Sequence, residues 1–249
     1  MPQVKINPDT GTLIREGVPS IINPTDKNAI EQALVLREKY GGEIIVVTMG
    51  PPQAEEALRE ALAMGIDKAI LLSDPAFAGA DTLATSYTLS TAIKKLGGFD
   101  LIICGTEATD GMTGQVGPQV AGYLHLPQAT YAQRVEIDGD LLRVERKVEG
   151  GYELIETRLP ALITVTREAN KPRTASIDGV VEAFIKKIPA WGARDLDVDR
   201  DQIGLDGSPT RIRKTTAAVF PRGEGQILQG SLKEQVVALI KKLEEKKLF

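Results

Sequence analysis

The sequence predicts an α/β protein: a doubly wound, mostly parallel sheet with an antiparallel extension and a C-terminal arm that ends in a helix. Three observations carry this reading. From Pro24 to about Val165, short apolar runs alternate with single helical patterns. From Gln128 the alternation gives way to hairpin-like strands, and after a long irregular stretch a capped amphipathic pattern closes the chain.

Taken in order, Thr25 or Asp26 caps a first helix whose apolar positions Ala29, Ile30, Ala33, Leu34 and Leu36 recur at helical spacing, and Gly41-Gly42 ends it. Ile44 to Val47 reads as a strand buried on both faces. Pro51 and Pro52 open a second helix, with Glu55 and Glu56 in its early turns where carboxylates suit the dipole. Ala69 to Leu72 is a second buried strand. Asp81 caps a third helix running to about Leu96, and Leu101 to Cys104 is the strand after it. Thr130 to Ile137, Leu141 to Val148 and Tyr152 to Thr157 read as antiparallel strands, turning at Asp138-Gly139-Asp140 and Glu149-Gly150-Gly151. Ala161 to Val165 is again a buried strand, and the core is expected to end after Pro172. Residues 188–230 look irregular and too long for an ordinary loop. Ser231 and Glu234 then form a capping box for a terminal helix with Val236, Leu239, Ile240 and Leu243 on one face. That face requires something to pack on, a partner subunit or the chain's own core. The division falls between residues 1–187, an α/β domain, and residues 188–249, the arm. The front end is unusual. Val4-Lys-Ile-Asn-Pro-Asp-Thr-Gly reads as a turn where a doubly wound sheet would begin with an apolar strand, so the sheet is expected to lack its first strand or to borrow one.

Bulk properties narrow the function. The chain has 249 residues and a net charge of −4, which gives no electrostatic footprint for nucleic acid. No apolar run reaches membrane-spanning length, so membrane insertion is not expected. The chain has 1 cysteine, Cys104, and 1 histidine, His125, which excludes a disulfide framework and a cysteine metal cluster and favours a cytoplasmic setting. So few nucleophiles and bases leave little for catalysis by side chains alone. Cys104 reads as a core residue and His125 as a helix-end residue.

The most informative stretch is Leu101 to Pro118. An apolar run breaks at Gly105, a small polar loop follows, and a helix is expected to open near Thr113. This brings a helix N-terminus to the carboxyl edge of a sheet, where open α/β proteins hold phosphate. Within it, Asp110-Gly111-Met-Thr113-Gly114-Gln115 offers the Thr113 hydroxyl and successive N–H groups to an anion. The same spacing serves a capped helix whose glycines allow close packing, and the loop matches neither common phosphate fingerprint. Gly79 to Ser86 is a second loop-to-helix junction, with Thr82 and Thr85 as small donors in the first turn and Asp81 equally explained as a plain N-cap. Met49-Gly50 ends a strand at the same edge, where backbone contact to a base or ribose and ordinary turn chemistry are both open. Asn170 to Ile177 is a polar segment with one apolar residue, Ile177, which serves a docking anchor or is a lone exposed aliphatic. Arg211, Arg213 and Lys214 read as a solvated surface, with the acidic face of a partner as the alternative.

These residues, in this order, resemble the beta subunit of electron transfer flavoprotein. The resemblance covers nearly the whole chain: Ile22 to Ala29, Met49-Gly-Pro51, Ala61 to Gly65 and Asp110 to Pro118. Most specific is the run from Val144 through Arg146, Glu149, Gly150 and Glu153 to Leu159-Pro-Ala-Leu-Ile-Thr-Val165. Asn170-Lys-Pro-Arg173 is similar to the family's recognition loop, with Ile177 at the place of its anchoring leucine. At the front end this sequence departs from the family pattern, which has an apolar strand and a Val-Pro-Asp-Thr-like nucleotide loop upstream of the first helix.

The resemblance implies a Rossmann-like fold of the adenine nucleotide alpha hydrolase type. It implies a heterodimer with an alpha subunit that carries an exchangeable FAD, on which the C-terminal arm packs. The beta subunit holds a second nucleotide, either AMP in a structural role or, in electron-bifurcating members, a second FAD that takes hydride from NADH. Asp81 to Ser86 and Asp110-Gly111 resemble the bifurcating group, so FAD is expected, with AMP as the alternative. The implied site comprises Asn23, Asp26, Met49, Gly50, Asp81, Thr82, Thr85, Asp110, Gly111, Thr113, Gly114, Gln115 and Val116. Thr82, Thr85, Thr113, Gly114 and Gln115 would hold the phosphates, with Asn23, Asp26 and Met49 near the adenosine. Ile177 would dock an acyl-CoA dehydrogenase. A nucleotide-binding module without redox chemistry is the alternative of a different class.

Overall fold

The computed structural model describes residues 20–211 and 225–248, together with the backbone of residues 5–6 and 13–14. By internal contacts the chain divides into two compact units, residues 1–213 and 214–249. In the first, β1 (Lys5–Ile6) pairs antiparallel with β2 (Leu13–Ile14). The sequence then alternates: α1 (Pro24–Tyr40), β3 (Ile45–Met49), α2 (Glu55–Ala63), β4 (Lys68–Leu72), α3 (Thr82–Leu96), β5 (Leu101–Gly105) and α4 (Val116–Leu124). Four strands follow, β6 (Gln128–Asp138), β7 (Leu141–Val148), β8 (Gly151–Arg158) and β9 (Ala161–Val165), and then α5 (Ile177–Ile185) and β10 (Ala190–Trp191).

The strands form a parallel sheet in the order β10-β4-β3 and a mixed sheet in the order β5-β9-β6-β7-β8. In the second sheet β5, β9 and β6 are parallel, and β7 and β8 extend it antiparallel. The expected alternation of parallel strands and helices with an antiparallel extension is therefore present, but in two sheets. β3 and β5 are their outer strands, and every residue of both is half-buried. Among the described residues no strand pairs with their outer edges.

Burial explains the pattern. β4 packs on both faces, Ala69 and Leu71 against Leu34, Leu58 and Leu62 of α1 and α2, Ile70 and Leu72 against Phe77 and Ala92. A third cluster, Ala132, Leu142, Val144, Ile163 and Val165, fills one face of the mixed sheet. On the other face Val120 and Ala121 of α4 meet Leu162 and Cys104. Each large aliphatic side chain so buried contributes about 1.5–3 kcal/mol.

Three expectations are corrected. α1 starts at Pro24 with Asn23 at its N-cap, because proline is suited to the first helical position, so Thr25 and Asp26 lie inside the first turn and bond elsewhere. α4 opens at Val116 rather than near Thr113, because Met112 and Gly114 hold φ angles of 49° and 62° that no helix allows. The core does not end after Pro172. Residues 177–185 form α5, capped by Ser176, whose hydroxyl accepts from the Gly179 N–H at 2.9 Å. β10 then joins β4, and Leu196 and Ile203 are buried beside Phe77.

In the second unit α6 (Leu232–Glu245) carries the capping box read from the sequence, with the Glu234 carboxylate accepting from the Ser231 N–H at 2.8 Å. Val236, Leu239 and Ile240 are exposed on it, and Leu243 is half-buried. Arg211 is exposed, while Arg213 and Lys214 lie outside the described residues. Among the described residues no helix is long and apolar enough to cross a membrane.

Candidate functional site

The loop between β5 and α4, residues 106–115, is held from below by the first turn of α1. Gly105 makes this possible: a Cβ there would lie 2.5 Å from the Thr25 hydroxyl oxygen and 2.7 Å from the Asp26 nitrogen, so only glycine lets the helix rest on the strand end. The Asp26 carboxylate accepts from the Gly105 N–H at 2.8 Å and from the Asn23 amide at 2.9 Å. Asn23 also donates to the Glu107 carbonyl at 2.9 Å and accepts from the Thr109 hydroxyl at 2.6 Å and N–H at 3.1 Å. The Thr25 hydroxyl donates to the Glu107 carbonyl at 2.7 Å. Asn23 and Asp26 thus set the near side of the loop. Thr25 and Thr109 share that task; the sequence marks Thr25 only as a helix cap and Thr109 not at all, because each lies more than eighty positions from its partner.

The other side is built by α3 and α4. Asp81 is the N-cap of α3, accepting from the Leu83 and Ala84 N–H groups at 3.0 and 3.1 Å and from the Thr210 hydroxyl and N–H at 2.7 and 3.0 Å. Burial raises its pKa, but these bonds outweigh burial and hold the carboxyl below its ordinary value. Both oxygens are engaged, so Asp81 shapes the junction. The Thr82 hydroxyl, the first α3 residue, donates to the Gln115 side-chain oxygen at 3.0 Å, which joins the two loop-to-helix junctions directly. The buried Ser86 hydroxyl bonds Gln119 at 3.0 Å and ties the helices one turn further in. Thr85 and Val116 are half-buried behind this contact, and Asp110, Gly111 and Thr113 are exposed on the loop. Gly114 lies with a would-be Cβ 3.7 Å from the Thr106 carbonyl and 3.8 Å from the Tyr131 hydroxyl. Met49 and Gly50 end the neighbouring strand β3, half-buried.

The chemistry of this edge is that of neutral donors with carboxyl groups among them: Asp26 shielded, Asp81 engaged at the α3 junction and Asp110 exposed on the loop. Burial raises the Asp26 pKa, opposed by the bonds from Asn23 and Gly105. Burial, with the Asp26 charge nearby, pushes the Cys104 thiol up to about 12, so it is no nucleophile. His125 closes α4 in a left-handed conformation with φ of 54°, as a helix-end residue. Among the described residues no cluster of histidine, cysteine and carboxylates is placed to hold a metal ion. A cavity of about 320 Å³ lies on the flank of α1 between Lys27, Asn28, Arg167 and Lys171, and none of the candidate residues lines it.

Ile177 stands apart from this edge, as the first residue of α5. That helix leans on α2 with only Ala183 buried; a Cβ on Gly179 would run into the Ala63 carbonyl oxygen. Its apolar side faces outwards, with Ile177 85%, Val181 57%, Phe184 73% and Ile185 78% exposed. Exposed apolar residues at helical spacing mark an interaction surface. In the sequence Ile177 stands out alone, while the helical spacing of Ile177, Val181, Phe184 and Ile185 is the signal that marks the whole face. The approach to α5 is tied to α1. Asn28 donates to the Asn170 carbonyl at 2.8 Å, and Arg173 bonds Glu31 at 2.9 Å and Glu38 at 2.6 Å.

Comparison with known proteins gives a consistent result. Residues 10–192 match the family described as "Electron transfer flavoprotein domain". The chain is 54% identical over 242 residues to an electron transfer flavoprotein subunit beta of Thermoanaerobacterium thermosaccharolyticum, covering 97% of this chain and 92% of that protein. It is 50% identical over 243 residues to the subunit of the same description from Clostridium acetobutylicum, covering 98% and 93% of the two. It is 47% identical over 249 residues to the caffeyl-CoA reductase-Etf complex subunit CarD of Acetobacterium woodii, covering 99% and 95%.

Proposed function

This chain belongs to the electron transfer flavoprotein family, on its beta-subunit side, and from that premise we propose that it holds FAD at the carboxyl edge of its sheets, as part of a complex with an alpha subunit. The observation that supports this most is the Thr82–Gln115 contact, which turns two loop-to-helix junctions into one rim of neutral donors. Such a rim suits nucleotide phosphates without a metal. The residues fit the group: Thr113 and Gly114 lie exposed or half-exposed on the loop, and the thiol of Cys104 is half-buried and held protonated. In this reading Thr82, Thr85, Thr113, Gly114 and Gln115 bind the phosphates, with Val116 supplying a first-turn N–H. Asn23, Asp26, Met49 and Gly50 border the adenosine, Asp81 fixes the α3 junction, and Asp110 and Gly111 form the outer lip. Bound flavin supplies the redox chemistry, and the protein orients it and limits side reactions.

The outward face of α5 supports the second half of the reading, docking of a redox partner. CarD is named as part of a caffeyl-CoA reductase complex. By analogy, an acyl-CoA dehydrogenase-type flavoenzyme is the partner we propose, with NADH as the electron source in a bifurcating complex in the cytoplasm. Ile177→Ala and Phe184→Ala are each expected to slow electron transfer to such a dehydrogenase about tenfold, the loss of a central apolar contact, while the flavin content of the complex stays constant. Stopped-flow kinetics with the purified dehydrogenase measure this, and unchanged rates in both variants would remove the docking role.

A further inference from the structure

Between β9 and α5 the chain runs from Thr166 to Ser176 without helix or strand, so its backbone groups need partners outside any regular ladder. One side chain supplies much of this. The Asn28 amide donates to the Arg167 carbonyl at 3.2 Å, the Asn170 carbonyl at 2.8 Å and the Asn170 side-chain oxygen at 2.9 Å. The Asn170 amide donates back to the Asn28 carbonyl at 3.0 Å. Further on, Glu31 accepts from the Arg173 N–H at 3.0 Å as well as from its guanidinium.

Asn28 is an unusual residue for its place. It is the fifth residue of α1, beyond the N-terminal cap that suits asparagine, and inside a helix such a side chain competes with the backbone. It is 3% exposed, whereas asparagine is mostly a surface residue. The carbonyls of the irregular segment that it covers offset that cost.

The same helix carries the nucleotide loop. Asp26, which bonds the Gly105 N–H, precedes Asn28 by about 3 Å along the helix axis. Thr106 ties the loop to the exit of β9 as well, its N–H and hydroxyl donating to the Val165 carbonyl at 3.1 and 2.8 Å. Against this, α5 has little grip of its own: Ala183 alone is buried, and Arg59 of α2 donates to the Ala183 carbonyl at 2.7 Å. The place of the α5 face relative to the loop is therefore set largely through α1.

Resting on the docking reading above, we propose that Asn28 is a positioning residue for electron transfer: its amide holds segment 166–176 against α1 and so presents the α5 face to the redox partner in a fixed place relative to the nucleotide loop. Asn28 acts through the Arg167 and Asn170 carbonyls. Its effect is preorganisation. With the segment held, the partner meets a docking face already in place. Without it, docking must first order the segment and α5, which weakens association and leaves the transfer step in the docked complex almost untouched.

The test uses the complete complex with the alpha subunit, in wild-type, Asn28→Leu, Asn170→Ala and Ile177→Ala forms, with a purified acyl-CoA dehydrogenase. Leucine keeps the volume of Asn28 and removes its bonds. For Asn28→Leu the expected results are a KM for the dehydrogenase about tenfold higher, a limiting rate within about twofold of wild type, and unchanged flavin content. Hydrogen exchange is expected to quicken across residues 177–185. Asn170→Ala, which keeps the bonds of Asn28 to both carbonyls, is expected to raise KM about threefold, and it decides the matter if Asn28→Leu does not assemble. Wild-type KM and wild-type exchange in α5, with only a lower unfolding temperature, would overturn the positioning role. If Ile177→Ala still raises KM in that case, the docking reading stands; if it does not, both fall.

Discussion

Gly105→Val is expected to destabilise the chain by about 3 kcal/mol, the upper end of what overpacking a tight contact costs. The atoms that a side chain would meet are the Thr25 hydroxyl oxygen at 2.5 Å and the Asp26 nitrogen and Thr25 carbonyl carbon at 2.7 Å. Two of the three are backbone, so no rotamer change relieves the clash and the whole first turn of α1 must lift. Lifting it separates Asn23 from Glu107 and Thr109 and Asp26 from the Gly105 N–H, so the loop loses its support together with the stability. Urea unfolding of the variant, with Gly122→Ala as control, measures the effect. Gly122 sits exposed in α4 with nothing within 4 Å of its would-be Cβ, and alanine there is expected to be neutral or to stabilise by up to about 1 kcal/mol. Equal midpoints for Gly105→Val and wild type would show that α1 does not rest on β5 in solution.

The second large effect is expected at Arg173. Its guanidinium bonds the Glu31 carboxylate through Nε and Nη2, both at 2.9 Å, and Glu38 through Nη1 at 2.6 Å. Glu31 is 7% exposed, so Arg173→Met leaves a carboxylate under cover with only the residue-173 backbone N–H as partner. Removing one partner of a buried pair costs 3–5 kcal/mol; with the Arg173 side chain 34% exposed, solvent screening brings this to about 2–3 kcal/mol. The pH dependence has a definite sign. The Arg173 hydrogen bonds hold Glu31 below its ordinary 4.5, so its stabilisation is present above the ordinary carboxyl range and is lost as pH falls through the lowered value. In Arg173→Met burial is left as the main influence and raises the Glu31 carboxyl, so the deficit is expected to be greatest at neutral pH and to shrink as pH falls from that raised value through the lowered one of the wild type. A double variant with Glu31→Leu should recover part of the loss, and additive costs for the two substitutions would deny the coupling.

Much of the fold was legible where local chemistry and tertiary packing agree. The run Ala69 to Leu72 declared a strand covered on both faces, Asp81 its helix start, and Ser231 with Glu234 the terminal helix. The sequence misled where a backbone angle overrode a spacing. Nothing about Thr113 as a residue tells that Gly114 behind it turns left-handed and delays α4 to Val116. The close approach of α5 to the Ala63 carbonyl, which Gly179 allows, is a tertiary contact that no local pattern announces. The supports of the candidate site were hidden for another reason. Asn23 reaches Thr109, and Thr25 reaches Glu107, through tertiary bonds that no local pattern encodes. The candidates on the loop, Asp110 to Gln115, stand out from local pattern alone, because the glycines and small donors lie together in the sequence.

The central claim is that this chain contributes a flavin site to its complex. The most direct measurement is to purify the chain with its alpha subunit, release the bound nucleotides by denaturation, and quantify FAD and AMP per complex. The account predicts two FAD, one for each subunit. One FAD accompanied by one AMP, or by no second nucleotide, would contradict it.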